Sequence, residues 1–291
     1  MNSFDYEYLR QLIKERSGLV LSADKQYLME SRLLPIARKQ GFRELGELVA
    51  KLRGKGAEQL KVEVVEAMAT NESFFLRDKI PFEHFRDTIM PALLAARLRE
   101  RKIRIWCAAC STGQEPYSLA MLLDAMDAEL QGWNVEILAT DFSRTVLERA
   151  QSGSYTHFEV QRGLPIQLLL KHFSKEGERW KVAENIRAMV QFQPLNLLHA
   201  FNHLGRFDVV FCRNVLIYFD RPTKIDLLER LARATERDGY LVLGATESVV
   251  GLSNAWDVMP NRRGLSQPRR RDPSDILAPV SSRPAMLHAV T

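Results

Sequence analysis

Four apolar runs in the second half of the chain each end in small or polar residues. These ends read Ala109-Cys110-Ser111, Thr140-Asp141, Pro194-Leu195-Asn196 and Cys212-Arg213-Asn214. If the runs are parallel strands, their carboxyl ends lie at one edge of a sheet, which is where such sheets bind ligands. The side chains at these ends are therefore expected to surround one small molecule.

Two of these residues have types suited to a nucleoside. Asp141 can accept both ribose hydroxyls of an adenosine, or it can cap the helix expected to follow it. Residue type alone does not decide between these roles. Asn196 can meet the adenine edge. The chain has no GxGxxG pattern, which disfavours a dinucleotide site that binds pyrophosphate.

The first apolar run opens a unit of strand, tight turn and helix. The run begins at Ile103 and stops at Ser111-Thr112-Gly113, before a segment with helical periodicity. A turn of this kind lets backbone approach a bound molecule closely.

Strands and helices alternate downstream of residue 103. Strands are predicted over 103–109, 135–140, 188–193, 207–212 and 240–245, and helices over 115–130, 144–152 and 222–236. This alternation predicts an α/β fold with a mostly parallel sheet covered by helices on both faces. The stretch after Gly153 has no regular pattern and is predicted to be an irregular insertion.

Residues 1–70 have helical periodicity throughout and predict an all-helical N-terminal domain. Gly18 ends the first helix, Ser22 is the candidate N-cap of the second, and Gly41 stops that helix. Two shorter helices are predicted over 43–53 and 57–69.

The second helix carries cations on one side. Lys25, Arg32 and Lys39 follow each other at seven-residue steps, nearly two helical turns, and Arg38 lies beside them. The stripe is either a solvated helix face or a docking strip for an acidic helical partner, where charge steers the encounter.

Residues 71–102 connect the helical domain to the α/β part. Phe74 and Phe75 are unusual in a linker, because linkers are polar in most proteins. They are expected to anchor the segment to an apolar surface and to leave nearby polar side chains aimed at a specific target. Those side chains belong to Asn71, Ser73 and Arg77.

Composition excludes several classes of function. The net charge of +5 comes largely from arginines after residue 261, so the folded part is near neutral and the basic pI does not indicate a nucleic-acid binder. Residues 261–291 are predicted to be a basic, disordered tail. No apolar run is long enough to span a membrane, and the N-terminus has no signal-peptide core. A cytoplasmic protein is expected.

The cysteines and histidines indicate neither disulfides nor a metal site. Three cysteines cannot form a disulfide framework, and His199 and His203 have no third ligand at a plausible spacing. Cys107 and Cys110 resemble a thioredoxin-type redox pair. Since Cys107 falls within a predicted strand and not at a helix start, redox activity stays a minor alternative.

Five segments carry a family resemblance: TNESFFLR, ACSTGQEPYSLAM, LATDFSRTVLERAQSGSY, PLNLL and FDVVFCRNVLIYF. Together they resemble the chemotaxis receptor methyltransferases of the CheR type, over about residues 5–258. Ser73 and Leu76 stand where this family usually has Thr and Phe, and Gln114 replaces an acidic residue.

The resemblance implies a Rossmann-like methyltransferase domain over 103–260 with a small β-subdomain inserted at 154–188. It also implies methylation of glutamates on the cytoplasmic helices of chemoreceptors by S-adenosylmethionine, with S-adenosylhomocysteine as product, by a monomer. The insertion is short, so recognition of a receptor tethering peptide is not expected.

The family's functional residues map onto this sequence position by position. The implied cofactor-binding residues are Asn71, Ser73, Arg77, Glu115, Asp141, Asn196, Leu197, Arg213 and Asn214. Arg77 and Tyr218 are expected to border the reacting centre, and the stripe containing Arg32 and Arg38 is expected to face the receptor. The non-enzymatic alternative is an adaptor that binds the cofactor and docks on receptors without turnover.

Overall fold

The computed structural model describes residues 2–269. Its N-terminal part is helical, as predicted, and consists of α1 (Ser3–Ser17), α2 (Gln26–Lys39), α3 (Leu45–Arg53) and α4 (Glu58–Met68). These helices bury a common apolar core that includes Leu9, Ile13, Leu33, Leu48 and Val64.

Glycine ends the first helix, and the cap proposed for the second is corrected. Gly18 adopts the left-handed conformation, and its N–H bonds to the carbonyl of Lys14, as expected of a glycine at a helix end. Ser22 instead precedes a 3₁₀ turn, Ala23–Lys25, and makes no side-chain capping bond there. Lys25 therefore lies just before α2 and not within it.

A continuous helical segment forms the second part of the linker, residues 71–102. It comprises α5 (Ile80–His84), a π-helical turn (Phe85–Ile89) and α6 (Met90–Ala96). Phe82 and Phe85 are buried against Phe211, with ring centroids 6.2 and 6.0 Å apart. The segment thus covers one face of the central sheet.

The central sheet has seven strands in the order β6-β2-β1-β7-β8-β10-β9. They are β1 (Lys102–Ala108), β2 (Asn134–Asp141), β6 (Val190–Pro194), β7 (Phe207–Cys212), β8 (Thr235–Leu243), β9 (Trp256–Val258) and β10 (Leu265–Pro268). The first five pair in parallel, and β10 pairs antiparallel with β8 and β9. The predicted α/β fold is confirmed.

Three helices connect the parallel strands and pack on the sheet: α7 (Gln114–Asp124), α8 (Arg144–Ser152) and α12 (Arg221–Ala234). α7 is shorter than predicted, because residues 125–132 form turns. On the face that α12 covers, Trp106 packs against Phe201 and Phe207, and its indole N–H donates to the hydroxyl of Thr140.

The boundary predicted for the tail is wrong. β10 falls within residues 261–291, where a disordered tail was expected, and it pairs with β8 and β9. Ser266 and Leu265 are buried there, so the pairing is secured by packing as well as by hydrogen bonds. Residues 270–291 lie outside the described residues.

The insertion after Gly153 is ordered and not irregular. It contains β3 (Ser154–Thr156), β4 (Phe173–Glu176) and β5 (Arg179–Val182) in an antiparallel sheet of order β3-β5-β4, with α9 (His157–Gln161), α10 (Ile166–His172) and α11 (Glu184–Ala188). A Cβ at Gly163 would lie 2.2 Å from the carbonyl oxygen of Phe75, so only glycine lets this subdomain pack on the linker.

Among residues 2–269, no helix combines the length and apolarity that crossing a bilayer requires.

Arg97 joins the C-terminal end of α6 to the sheet. Its guanidinium donates to Asp208 at 2.9 Å and to both carboxylate oxygens of Asp238 at 2.6 and 2.8 Å. We expect Arg97→Ala to lower the free energy of unfolding by about 3 kcal/mol, because the buried Asp208 loses its cation. Urea denaturation measures this loss.

Arg86→Ala is the matched control, since Arg86 and Asp87 form an ion pair in which both side chains are more than half exposed. That variant should change stability by less than about 1 kcal/mol. Equal losses in the two variants would contradict the importance of the Arg97 network.

Candidate active site

A cleft opens at the carboxyl ends of β1, β2, β6 and β7, with about 890 Å³ of empty space when the open solvent at its mouth is included. All ten cofactor-binding and catalytic residues implied by the sequence line it: Asn71, Ser73, Arg77, Glu115, Asp141, Asn196, Leu197, Arg213, Asn214 and Tyr218. The structure therefore brings together residues that are as much as 147 positions apart in the sequence, from Asn71 to Tyr218.

The turn after β1 lines this cleft with Ala109, Cys110 and Ser111, and its backbone is unusual. Ala109, Ser111 and Gly113 have φ values of 63, 51 and 93°, in the left-handed region. A Cβ at Gly113 would lie 3.0 Å from the Cβ of Ala150, so a larger residue does not fit. Left-handed non-glycine residues are strained and concentrate at functional sites.

Asp141 braces that turn from the end of β2. Its Oδ2 accepts the N–H of Ser111 at 3.0 Å, and its Oδ1 accepts the N–H of Ser143 at 3.0 Å. Ser143, and not Asp141, caps α8, so the capping alternative for Asp141 is wrong. Burial raises the pKa of Asp141, and the backbone N–H donors act in the opposite direction.

Arg213 forms the centre of a buried ionic network. Its Nη1 donates to Glu115 at 2.8 Å, and its Nη2 donates to Asp78 at 2.9 Å and to the carbonyl of Arg77 at 2.6 Å. The Arg213 side chain is only 2% exposed and stacks on Phe82. Burial raises the pKa of Glu115, and the nearby Arg213 opposes that rise.

One N–H donor of Arg213 has no hydrogen-bond partner among the described residues. The donor is Nε, which is buried. An unpaired buried donor beside a cleft is compatible with an acceptor on a bound ligand, directly or through water. The cleft also offers hydroxyl, amide, carboxylate and guanidinium groups, a set that fits a polar amino-acid nucleoside.

The linker is fixed on the cleft by its aromatic residues, as predicted. Phe75 is fully buried, and the guanidiniums of Arg77 and Arg162 both pack over the ring of Phe74, at 5.5 and 4.4 Å from its centroid. Nη1 of Arg77 donates to the carbonyl of Glu72 at 2.7 Å, within the linker itself. The Arg77 side chain is thus held beside the cleft by two local contacts.

The helical domain closes one side of the cleft, which the sequence did not predict. Ser17 and Leu19 are lining residues. Nδ2 of Asn196 donates to the carbonyl of Arg16 at 2.6 Å, and the carbonyl of Tyr218 accepts the N–H of Val20 at 2.9 Å. The side chain of Asn196 is therefore engaged by the protein, although it lines the cleft.

Gly18 is the residue in the sequence that could have indicated this contact between the helical domain and the cleft, in addition to ending α1. A Cβ at Gly18 would lie 2.9 Å from the Phe219 ring, so the chain must pass this point without a side chain.

Of the four cations in the proposed docking stripe, two have partners within the helical domain and two are exposed. Arg32 donates to the carbonyls of Met68 and Ala69 at the end of α4, and Lys39 pairs with Glu63 at 2.8 Å. Lys25 and Arg38 are exposed. The stripe stays a prediction, but Arg32 serves first to hold α2 on α4.

The thiols do not fit redox chemistry. Cys107, Cys110 and Cys212 are all buried and free, and burial raises the pKa of each well above its usual value. A redox thiol needs its pKa lowered and its sulfur accessible. Among the residues that the structure describes, no group of three or more His, Cys, Asp or Glu could hold a metal ion.

The sheet and its cleft place this chain in the class of α/β proteins that bind a small molecule beyond the carboxyl ends of parallel strands. Residues 71–265 match the family described as CheR methyltransferase, SAM binding domain. Residues 5–69 match CheR methyltransferase, all-alpha domain.

Curated relatives agree with these matches. The chain is 38% identical over 267 residues to chemotaxis protein methyltransferase Cher2 of Pseudomonas putida, covering 90% of this chain and 97% of that protein. It is 41% identical over 265 residues to chemotaxis protein methyltransferase 1 of Pseudomonas aeruginosa, covering 90% and 96%. The chain belongs to the CheR methyltransferase family and has its S-adenosylmethionine-binding domain.

Replacing Arg213 by Lys should destabilise the protein although the charge is kept. A lysine ammonium cannot reproduce the planar fork that joins Glu115 and Asp78, so we expect a loss of about 2–3 kcal/mol and a melting temperature several degrees lower. Differential scanning calorimetry measures both quantities.

Arg149→Lys provides the control, because Arg149 forms an exposed pair with Glu159 and its side chain is 44% exposed. Its melting temperature should stay near that of the wild type. An Arg213→Lys protein as stable as this control would show that the fork does not stabilise the site.

Proposed function

We propose that this chain transfers a methyl group from S-adenosylmethionine to glutamate side chains of chemoreceptors and so forms glutamate methyl esters. The observation that carries the proposal is the convergence of all ten implied residues on one cleft between the helical domain and the sheet. The names of the relatives support a substrate in the chemotaxis system.

The proposed cofactor contacts come from three parts of the chain. Asn71, Ser73 and Arg77 would hold the cofactor from the linker, while Asp141 and Asn196 would do so from the strand ends. Bound S-adenosylmethionine supplies a methyl group on a sulfonium, which an oxygen nucleophile can accept. The buried donor Nε of Arg213 is a further candidate contact for the amino-acid part.

The substrate needs no catalytic base in this proposal. A glutamate side chain is ionised near neutral pH and is already nucleophilic. The work of the protein is then to align the carboxylate oxygen with the methyl carbon, and such orientation contributes several kcal/mol. The Arg77 guanidinium is suited to orient a carboxylate, and Tyr218 borders the same cleft.

The test is a methylation assay with donor carrying a labelled methyl group, the full chain and membranes bearing candidate receptors. Label that is released as methanol by base indicates carboxyl methyl esters. Binding of S-adenosylhomocysteine in calorimetry without transfer of label to any receptor would instead support the adaptor alternative and contradict the proposal.

Arg77→Ala should lower turnover by about 10–100-fold, because the carboxylate loses its orienting cation. Arg162→Ala is its matched control: the Arg162 guanidinium also packs over the Phe74 ring, but Arg162 does not line the cleft. Turnover that falls equally in both variants would indicate a general effect on the linker and not a role for Arg77 at the reacting centre.

Tyr218→Phe should lower turnover by about tenfold, the value of one hydrogen bond of roughly 1.4 kcal/mol. Folding should be unaffected, since the ring is retained. Tyr8→Phe, which changes a tyrosine of the helical domain away from the cleft, should act like the wild type in the same assay. Normal turnover of the Tyr218 variant would remove the hydroxyl from the mechanism.

A further inference from the structure

Glu247 accepts four backbone hydrogen bonds with one carboxylate. Its Oε2 accepts the N–H of Asn214 at 2.7 Å and of Gly244 at 2.8 Å. Its Oε1 accepts the N–H of Val215 at 2.9 Å and of Leu216 at 2.8 Å. Glu247 follows β8, whereas three of its four donors belong to the loop after β7, so this one side chain ties two neighbouring strand ends together.

The loop after β7 has a conformation that needs such support. Asn214 lies in the left-handed region, with a φ of 57°. A Cβ at Gly244 would lie 2.7 Å from Oε2 of Glu247 and 2.8 Å from the amide nitrogen of the Asn214 side chain, so any larger residue would have to displace these two side chains. A strained loop persists only where surrounding contacts determine it.

The same bonds fix the start of the turn that carries Tyr218. Leu216–Tyr218 forms a 3₁₀ turn with no side-chain cap from its own N-cap residue, Val215. The carboxylate of Glu247 binds the first N–H groups of this turn and so caps it from the neighbouring strand, as an acidic group at a helix start does. Glu247 itself does not line the cleft.

We infer that Glu247 is a positioning residue of the methyltransferase: its carboxylate sets the loop that presents Asn214 and Tyr218 to the cleft. This inference rests on the proposed function for the roles of those two residues. An anionic side chain is required, because four donors converge on two oxygens. A glutamine would direct its own N–H groups at two of these donors and leave them unpaired.

Glu247→Gln is the direct test, made with the full chain. We expect the dissociation constant of S-adenosylhomocysteine to rise about tenfold through Asn214, and kcat at saturating donor to fall at least tenfold through Tyr218. Both values are taken per folded molecule, with the folded fraction measured by circular dichroism. A purely structural role would lower the melting temperature and leave these values within threefold of the wild type, which would overturn the inference.

Two further variants sharpen the result. Glu229→Gln changes a carboxylate that accepts the hydroxyl of Ser253 at 2.6 Å, away from the cleft, and should retain wild-type activity. Glu247→Asp keeps two anionic oxygens on a shorter side chain, so its kcat should lie at least threefold above that of Glu247→Gln but at least threefold below that of the wild type.

If Glu247→Gln does not fold, Glu247→Asp decides the question. A kcat three- to tenfold below the wild type then supports the positioning role, and a wild-type kcat overturns it. If the wild-type chain binds S-adenosylhomocysteine but methylates no receptor, the proposed function fails. The affinity measurement on the Glu247 variants still decides whether this side chain positions the loop.

Discussion

The buried guanidinium of Arg213 is the interaction on which the site depends. It connects the end of β7 with the first turn of α7 through Glu115 and with the linker through Asp78 and the Arg77 carbonyl. Each of these three segments contributes lining residues to the cleft. Since a buried ion pair is costly to leave incomplete, the three segments are held in one arrangement.

The helical domain is fixed to the same arrangement by polar contacts. Glu66 of α4 accepts from the backbone N–H of Arg144 and the hydroxyl of Thr145, both at 2.9 Å, at the start of α8. Lys14 pairs with Asp220 at 2.9 Å, and this contact, together with hydrogen bonds from Thr223, lowers the pKa of Asp220 to about 2. These contacts lie outside the lining of the cleft. They hold the helical domain in the position from which Ser17 and Leu19 line the cleft.

The sequence predicted the parallel strands well, because uninterrupted apolar runs and polar strand ends are local features. It also predicted the ten residues at the cleft, through their family pattern. It missed the strands β9 and β10, where short runs such as Trp256–Val258 gain their stability from pairing with the sheet and not from their own residues. It also missed Ser17 and Leu19, since contact between distant segments leaves no periodic signal.

Arg32 shows the opposite case, in which a local pattern suggests one role and the fold reveals a second. Its spacing from Lys25 and Lys39 is that of a surface stripe, yet its guanidinium is used to satisfy the last carbonyls of α4. Carbonyl groups at a helix end have no partners within the helix, and an arginine from a neighbouring helix can supply donors. Such a use depends on the packing of two helices and cannot be read from one of them.

The charges around the cleft bear on how the acidic substrate proposed above would approach a site lined by three carboxylates. Glu72, Glu115 and Asp141 all line the cleft and would repel that substrate if their charges were unbalanced. Arg162 pairs with Glu72, Arg213 pairs with Glu115, and backbone N–H groups bind Asp141 on both oxygens. The guanidinium of Arg77 also lies at the cleft, where it donates a hydrogen bond to the carbonyl of Glu72 and packs over the Phe74 ring. A positive charge of this kind is what an incoming carboxylate requires.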